Sequence, residues 1–145
     1  MPERMARSTL IKRLVIVLLA SSILLLPAVG QATPDASSLA TGSWGGEHIV
    51  LDVSGKSAEV EFDCAHGQIT QPMTIDKHGD FDVAGTFMPE HGGPVRRDED
   101  TQPASARYSG HVEGDTIRLT VTVGKETVGT FTLTRGSRPI LTKCR

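Results

Sequence analysis

Three short segments of the 145-residue chain place a histidine beside a carboxylate or a thiol. They are Glu47-His48, Cys64-Ala65-His66 and Glu90-His91. Imidazole binds metals and transfers protons near neutral pH, and a catalytic zinc is often held by three protein ligands. A metal-assisted hydrolase is therefore one hypothesis. Its metal ligands would be His48, His66 and His91, together with Glu47 or Glu90.

None of these segments has the spacing of an established metal motif, since the chain contains neither HExxH nor CxxC. Residues 42–53, GSWGGEHIVLDV, end in the alternation of a β-strand, and adjacent side chains of a strand point to opposite faces. Glu47 and His48 would then share a pocket only if Gly45-Gly46 formed a bulge. The alternative is that each histidine is an ordinary surface residue. We expect the protein to bind no cofactor.

The two cysteines, Cys64 and Cys144, are the whole thiol content of the chain. An even count in an exported chain favours a disulfide, with a metal site at Cys64 and His66 as the alternative. A bridge between them would close a loop of about 80 residues, which the chain-entropy model values at ~4.5 kcal/mol.

The first 32 residues have the pattern of a secretory signal peptide. A basic head is followed by an uncharged apolar run over residues 14–30 and by small residues at its exit. An uncleaved anchor is the alternative, but a run of ~17 residues is short for a membrane span. We predict an exported protein, periplasmic or secreted, without stable membrane insertion after cleavage.

Removal of residues 1–32 changes the charge of the chain. That segment holds four of the 15 Lys and Arg and one of the 17 Asp and Glu, which leaves 11 basic and 16 acidic residues, a net charge of −5. No basic stripe remains, so we expect no nucleic-acid partner. Residues 33–41 are small and polar, which is typical of a disordered lead-in.

Residues 42–145 alternate apolar and polar side chains with period two and predict a single all-β domain. Short runs such as 58–64, 71–76, 80–88, 106–112, 116–123, 127–136 and 139–144 are joined by short connections, most of which contain glycine. About eight such strands predict a small antiparallel up-and-down barrel. Its interior is expected to be filled by aromatic side chains, namely Phe62, Phe81, Phe87, Phe131 and Tyr108.

Gly42-Ser43-Trp44 resembles the G-x-W signature that opens lipocalin-like barrels. The resemblance implies that Trp44 closes one barrel end beneath an arginine near the last strand, either Arg135 or Arg138. The small size is similar to compact relatives such as avidins and bacterial periplasmic protease inhibitors. The strings W-G-G-E-H-I and F-D-C-A-H-G also resemble small exported bacterial proteins without an assigned function.

The sequence thus predicts a binding module that uses one barrel rim and the long 89–105 connection. Its partner would be a small molecule or an exported protein. An inhibitor of an exported protease is the alternative, and the metal-assisted hydrolase is the second. The candidate ligand-binding residues are Trp44, Glu47, His48, His66, Glu90 and His91.

Overall fold

The computed structural model describes residues 36–94 and 102–144. The predicted signal peptide and residues 95–101 of the long connection lie outside these ranges. Every regular element in the described residues is a β-strand, which confirms the predicted all-β class. No helix among them has the length and hydrophobicity to cross a bilayer.

Ten strands lie in the described residues, and eight of them form a closed barrel. The strands are β1 (Ser37–Ser38), β2 (Gly42–Gly46), β3 (Ile49–Val53), β4 (Ala58–Phe62), β5 (Ala65–Ile69), β6 (Thr74–Ile75), β7 (Asp80–Pro89), β8 (Ala104–Glu113), β9 (Thr116–Val123) and β10 (Glu126–Arg135). All barrel neighbours are antiparallel, and β10 pairs with β2 to close the ring. The predicted up-and-down barrel is confirmed.

The GSWGGEHIVLDV segment is a hairpin and not the single strand predicted from its alternation. β2 and β3 pair antiparallel, with Trp44 opposite Leu51, and the chain reverses at Glu47-His48. His48 has a positive φ of 66°, a conformation that suits a tight turn. No bulge at Gly45-Gly46 is needed to bring Glu47 and His48 together, because both lie in the turn.

Three further assignments differ from the sequence prediction. The predicted strand 58–64 ends at Phe62, and a two-residue turn leads into β5, so His66 lies on a strand. β6 pairs only with β1, outside the barrel, and the C-terminal PILTKC segment forms one isolated bridge at Ile140. The count of eight barrel strands is therefore right, although residues 42–53 contribute two strands, β5 was not predicted, and two predicted strands lie outside the barrel.

The barrel interior is filled with apolar side chains, as predicted. Trp44 and Tyr108 are the largest fully buried residues, and no polar or charged residue is buried in the described chain. The Tyr108 hydroxyl donates a hydrogen bond of 2.6 Å to the Thr86 carbonyl. A Cβ atom at Gly67 would lie 2.0 Å from this hydroxyl, so glycine at that position makes room for the ring.

One end of the barrel, which we call the sealed end, carries the connections 54–57, 70–79 and 114–115. Leu39 and Met73 are both buried there, and the Leu39 amide donates to the Met73 carbonyl at 2.8 Å. The Trp44 indole N–H donates to the Ala40 carbonyl at 3.1 Å. The described part of the 33–41 segment is therefore packed, in contrast to the disordered lead-in expected from its composition.

The residues after β10, 136–144, form a C-terminal tail that returns along the outside of β2. Ile140 exchanges backbone hydrogen bonds with the β2–β3 turn, donating to the Gly46 carbonyl and accepting from the His48 amide. A Cβ atom at Gly45 would lie 2.1 Å from the Ser137 carbonyl oxygen, so glycine allows the tail to pass. Cys144 then forms the predicted disulfide with Cys64, with Cα atoms 5.2 Å apart.

Candidate functional site

The opposite end of the barrel, which we call the open end, carries the connections 47–48, 63–64, 90–103 and 124–125. An apolar pocket of about 240 Å³, which we call the mouth, opens there. Its apolar lining consists of Phe62, Ala65, Phe87, Val128 and Phe131. Its polar lining consists of His48, Asp63 and the disulfide residue Cys64.

The three phenylalanines of the mouth pack against one another. The Phe62 ring centroid lies 5.3 Å from that of Phe87, edge to face, and 5.7 Å from that of Phe131. Phe62 is buried, whereas Phe87 and Phe131 are only half-buried. Part of the Phe87 and Phe131 side chains is therefore exposed to solvent at the mouth.

A bulge in β10 brings Val128 to the mouth. The pairing of β10 with β9 shifts register between Thr127 and Gly129, which leaves Val128 as the extra residue. Bulges re-aim side chains in this way. Val128 is 42% exposed, and the Phe131 ring comes within 2.8 Å of the position that a Cβ atom of Gly129 would take. The glycine inside this strand was the sequence signal that marked the bulge.

His48 and Asp63 join the two hairpin turns beside the mouth. The His48 Nδ1 lies 2.6 Å from Asp63 Oδ2, and the Thr142 amide of the tail donates to Asp63 Oδ1 at 2.7 Å. These contacts lower the pKa of Asp63, the backbone hydrogen bond from Thr142 being the largest cause. Because an ionised carboxylate only accepts hydrogen bonds, Nδ1 of His48 carries the proton in this pair.

This arrangement leaves the Nε2 atom of His48 facing Glu47, whose Oε1 is 3.4 Å away. The Glu47 side chain is 75% exposed, and that of Asp63 is 24% exposed. The sequence singled out Glu47 and His48 but missed Asp63. Its role depends on contacts with residues 15 and 79 positions away in the chain.

His66 forms a separate pair with Glu90. Its Nδ1 lies 2.5 Å from Glu90 Oε1, and the Glu90 amide donates to the Cys64 carbonyl. His66 does not line the mouth. It lines a polar groove of about 570 Å³ on the outer face of the barrel, where Asp52 and Glu59 oppose each other across β3 and β4.

Lys143 of the tail contacts one of the two histidine pairs, through Glu90. Its ammonium lies 2.6 Å from Glu61 Oε1 and 3.9 Å from Glu90 Oε2, and it donates to the Phe62 carbonyl at 3.2 Å. No local sequence pattern indicates this role, because the tail must first return to the open end.

The structure does not bring the predicted metal ligands together. Across residues 36–94 and 102–144, no three His, Cys, Asp or Glu side chains form a group able to hold a metal ion. His91 is exposed, and its Nδ1 lies 3.1 Å from the Gly92 carbonyl oxygen. A three-histidine metal site, and the hydrolase that would use it, therefore have no geometric support in the described residues.

Trp44 is also separate from the mouth. The side chain is only 1% exposed, and its polar atom already bonds to Ala40, so it contributes to the core. Arg135, and not Arg138, is its register partner on β10, and the Arg135 guanidinium donates to the Thr41 carbonyl. Of the six predicted ligand-binding residues, His48 alone lines the mouth, and Glu47 adjoins it.

Comparisons of the chain with models of known families, with curated proteins and with solved structures found no match. The closed eight-stranded barrel is compatible with the lipocalin-like resemblance of its G-x-W segment, and the geometry of the mouth carries the functional argument.

Proposed function

We propose that the protein is an exported binding module that accepts one apolar group in the mouth. The proposal rests on the partly exposed aromatic lining at the open end. Most other large apolar side chains of the described residues are buried. Val128 and Ile140 are the large hydrophobic residues left exposed in the described chain, and Val128 lines the mouth.

The size of the mouth supports a shallow mode of binding. Its volume of about 240 Å³ is below the roughly 300–1,000 Å³ of pockets that enclose a whole small ligand. The filled interior excludes a deeper, lipocalin-type cavity. The mouth thus suits a single ring or branched alkyl group whose remainder stays outside.

The disulfide supports export, because disulfides persist in oxidising compartments. It also supports binding at this end, because it fixes the β4–β5 turn that carries one wall of the mouth.

A titration with benzyl alcohol, followed by NMR of the phenylalanine rings, tests the proposal. We expect saturable shifts at Phe62, Phe87 and Phe131. Val128→Ser should weaken binding about fivefold, because it removes two methyl groups from the lining. Ile140→Ser is the matched control, since Ile140 is exposed outside the mouth. Equal binding by both variants, or shifts elsewhere, would contradict the proposal.

An exported protease is the alternative partner, as predicted from the sequence. It would place one apolar side chain in the same mouth. Inhibition assays with purified exported proteases address this, comparing the unmodified protein with Val128→Ser and Ile140→Ser. Inhibition lost only in Val128→Ser would assign the protease as the partner.

A further inference from the structure

The geometry points to a small organic cation with alkyl substituents on its nitrogen, of the quaternary ammonium class, as the ligand of the mouth. This inference rests on the proposed function and names the chemistry of the bound group. It follows from three observations, which concern the rings, the charges and the size of the mouth.

The rings supply an attractive surface for a cation. A phenyl face carries partial negative charge, and alkylated ammonium ions bind where several aromatic side chains meet. Phe62, Phe87 and Phe131 all line the mouth. A methylated ammonium group also has an apolar surface, so it can leave water without losing strong hydrogen bonds.

The charges at the open end complement a cation. Among the described residues there, five carboxylates stand against two ammonium groups. The carboxylates are Glu47, Glu61, Asp63, Glu90 and Glu126, and the ammonium groups are Lys125 and Lys143.

Lys143 is already paired with Glu61, and Glu90 is paired with His66. Asp63 lines the mouth, and the hydrogen bond from the Thr142 amide lowers the pKa of its carboxyl. Glu47 adjoins the mouth through His48 and is largely exposed. Asp63 and Glu47 both contact His48, which lines the mouth, so they are the carboxylates placed to act on a ligand there.

The small volume of the mouth, about 240 Å³, suits one compact group and not an extended stretch of a protein partner. The opening is a single concavity with a rim formed by two turns, the bulge and the disulfide. A trimethylammonium group fills such a concavity from above, while its substituent extends into solvent.

The test compares choline with neohexanol, the neutral alcohol in which a carbon atom replaces the nitrogen. The two molecules have nearly the same shape, so the difference in affinity isolates the charge. We expect choline to bind about tenfold more tightly, with ring shifts at Phe87 and Phe131. Equal binding overturns the cation inference but leaves the proposed apolar binding intact.

Two variants locate the effect. Phe131→Leu keeps an apolar side chain but removes an aromatic face, so it should weaken choline several-fold more than neohexanol. Glu47→Gln should weaken choline about two- to fivefold and leave neohexanol unchanged, because an exposed charge acts through screened electrostatics. Choline shifts confined to the outer groove at Asp52 and Glu59, or no choline binding, would overturn the inference. The benzyl alcohol titration then decides the proposed function separately.

Discussion

The two ends of the barrel are each crossed by a chain segment that is not part of the barrel, but the segments differ in chemistry. At the sealed end, Leu39 and Met73 insert apolar side chains, and the Trp44 indole completes the closure. At the open end, the tail contributes Thr142 and Lys143, which bond to Asp63, Glu61 and a carbonyl. The N-terminal segment and Met73 thus form an apolar plug of the sealed end, together with the Trp44 indole. The tail forms a polar frame beside the open end and does not cover it.

This difference teaches where the surface is left available. An apolar plug removes the aromatic interior from water, whereas a polar frame fixes two turns and leaves Phe87 and Phe131 half-exposed. The packing contribution to stability should therefore be larger at the sealed end, and ligand binding should depend on the fixed geometry of the open end. The tail contributes to stability as well as to the geometry of the open end, because its disulfide restrains the unfolded chain.

Removal of the disulfide should have the largest effect. Cys64→Ser with Cys144→Ser is expected to cost about 4–5 kcal/mol of unfolding free energy, because the bridge closes a loop of 80 residues. Urea unfolding measures the cost. Hydrogen exchange should show faster exchange at the His48 and Thr142 amides and little change at the Leu39 amide. Equal loosening of both ends would contradict the proposed division.

Truncation of Trp44 at the sealed end should have the second-largest effect on stability. Trp44→Ala is expected to cost about 3–5 kcal/mol, because the side chain is fully buried and leaves a cavity. Phe131→Ala at the open end should cost only about 1–2 kcal/mol, since its ring is already half-exposed. Chemical denaturation of both variants gives the comparison, and a larger cost for Phe131→Ala would reverse it.

Crowding of the tail should have a moderate effect. Gly45→Ala places a Cβ atom 2.1 Å from the Ser137 carbonyl, so the tail must shift, at about 1–3 kcal/mol. Gly55→Ala is the matched control, because nothing lies within 4 Å of its Cβ position. Thermal unfolding and the amide shift of Thr142 report the outcome. A Gly45→Ala protein as stable as Gly55→Ala would show that the tail does not pack there.

Much of the barrel could be predicted from the alternation of apolar and polar residues. The two-residue hairpin turns appear in the sequence only as a switch of the inward residues between even and odd positions. In β4 the inward residues are Ala58, Val60 and Phe62, at even positions, and in β5 they are Ala65 and Ile69, at odd positions. A two-residue turn always produces such a switch, because paired residues on one face have numbers of opposite parity. The same switch separates Trp44 from Ile49 and marks the β2–β3 turn.

The candidate site was less predictable, for a physical reason. His48 and Glu47 stand together in the sequence, so their types could be noticed. Asp63, Thr142 and Lys143 meet only after the barrel closes and the tail returns to the open end. Individual residue types do not encode such long-range contacts. For the same reason, no sequence pattern required His48, His66 and His91 to lie close together, and the hypothesis of a metal site had no spacing to support it.

Acid titration should give the smallest effect and the sharpest contrast between the ends. Hydrogen bonds lower the pKa of both Asp63 and Asp76, the former chiefly through the Thr142 amide and the latter through the Asp80 amide. A carboxylate with a lowered folded pKa stabilises the protein above its unfolded value, near 3.8, and loses that contribution as pH falls through the folded value. Melting temperatures measured from neutrality to below pH 3.8 should therefore show a shallower acid decline in Asp63→Asn and in Asp76→Asn. Only Asp63→Asn should also speed hydrogen exchange at Thr142, because Asp76 bonds within its own turn while Asp63 holds the distant tail. Faster Thr142 exchange in Asp76→Asn would mean that the two ends are coupled through the barrel, and the contrast between plug and frame would fail.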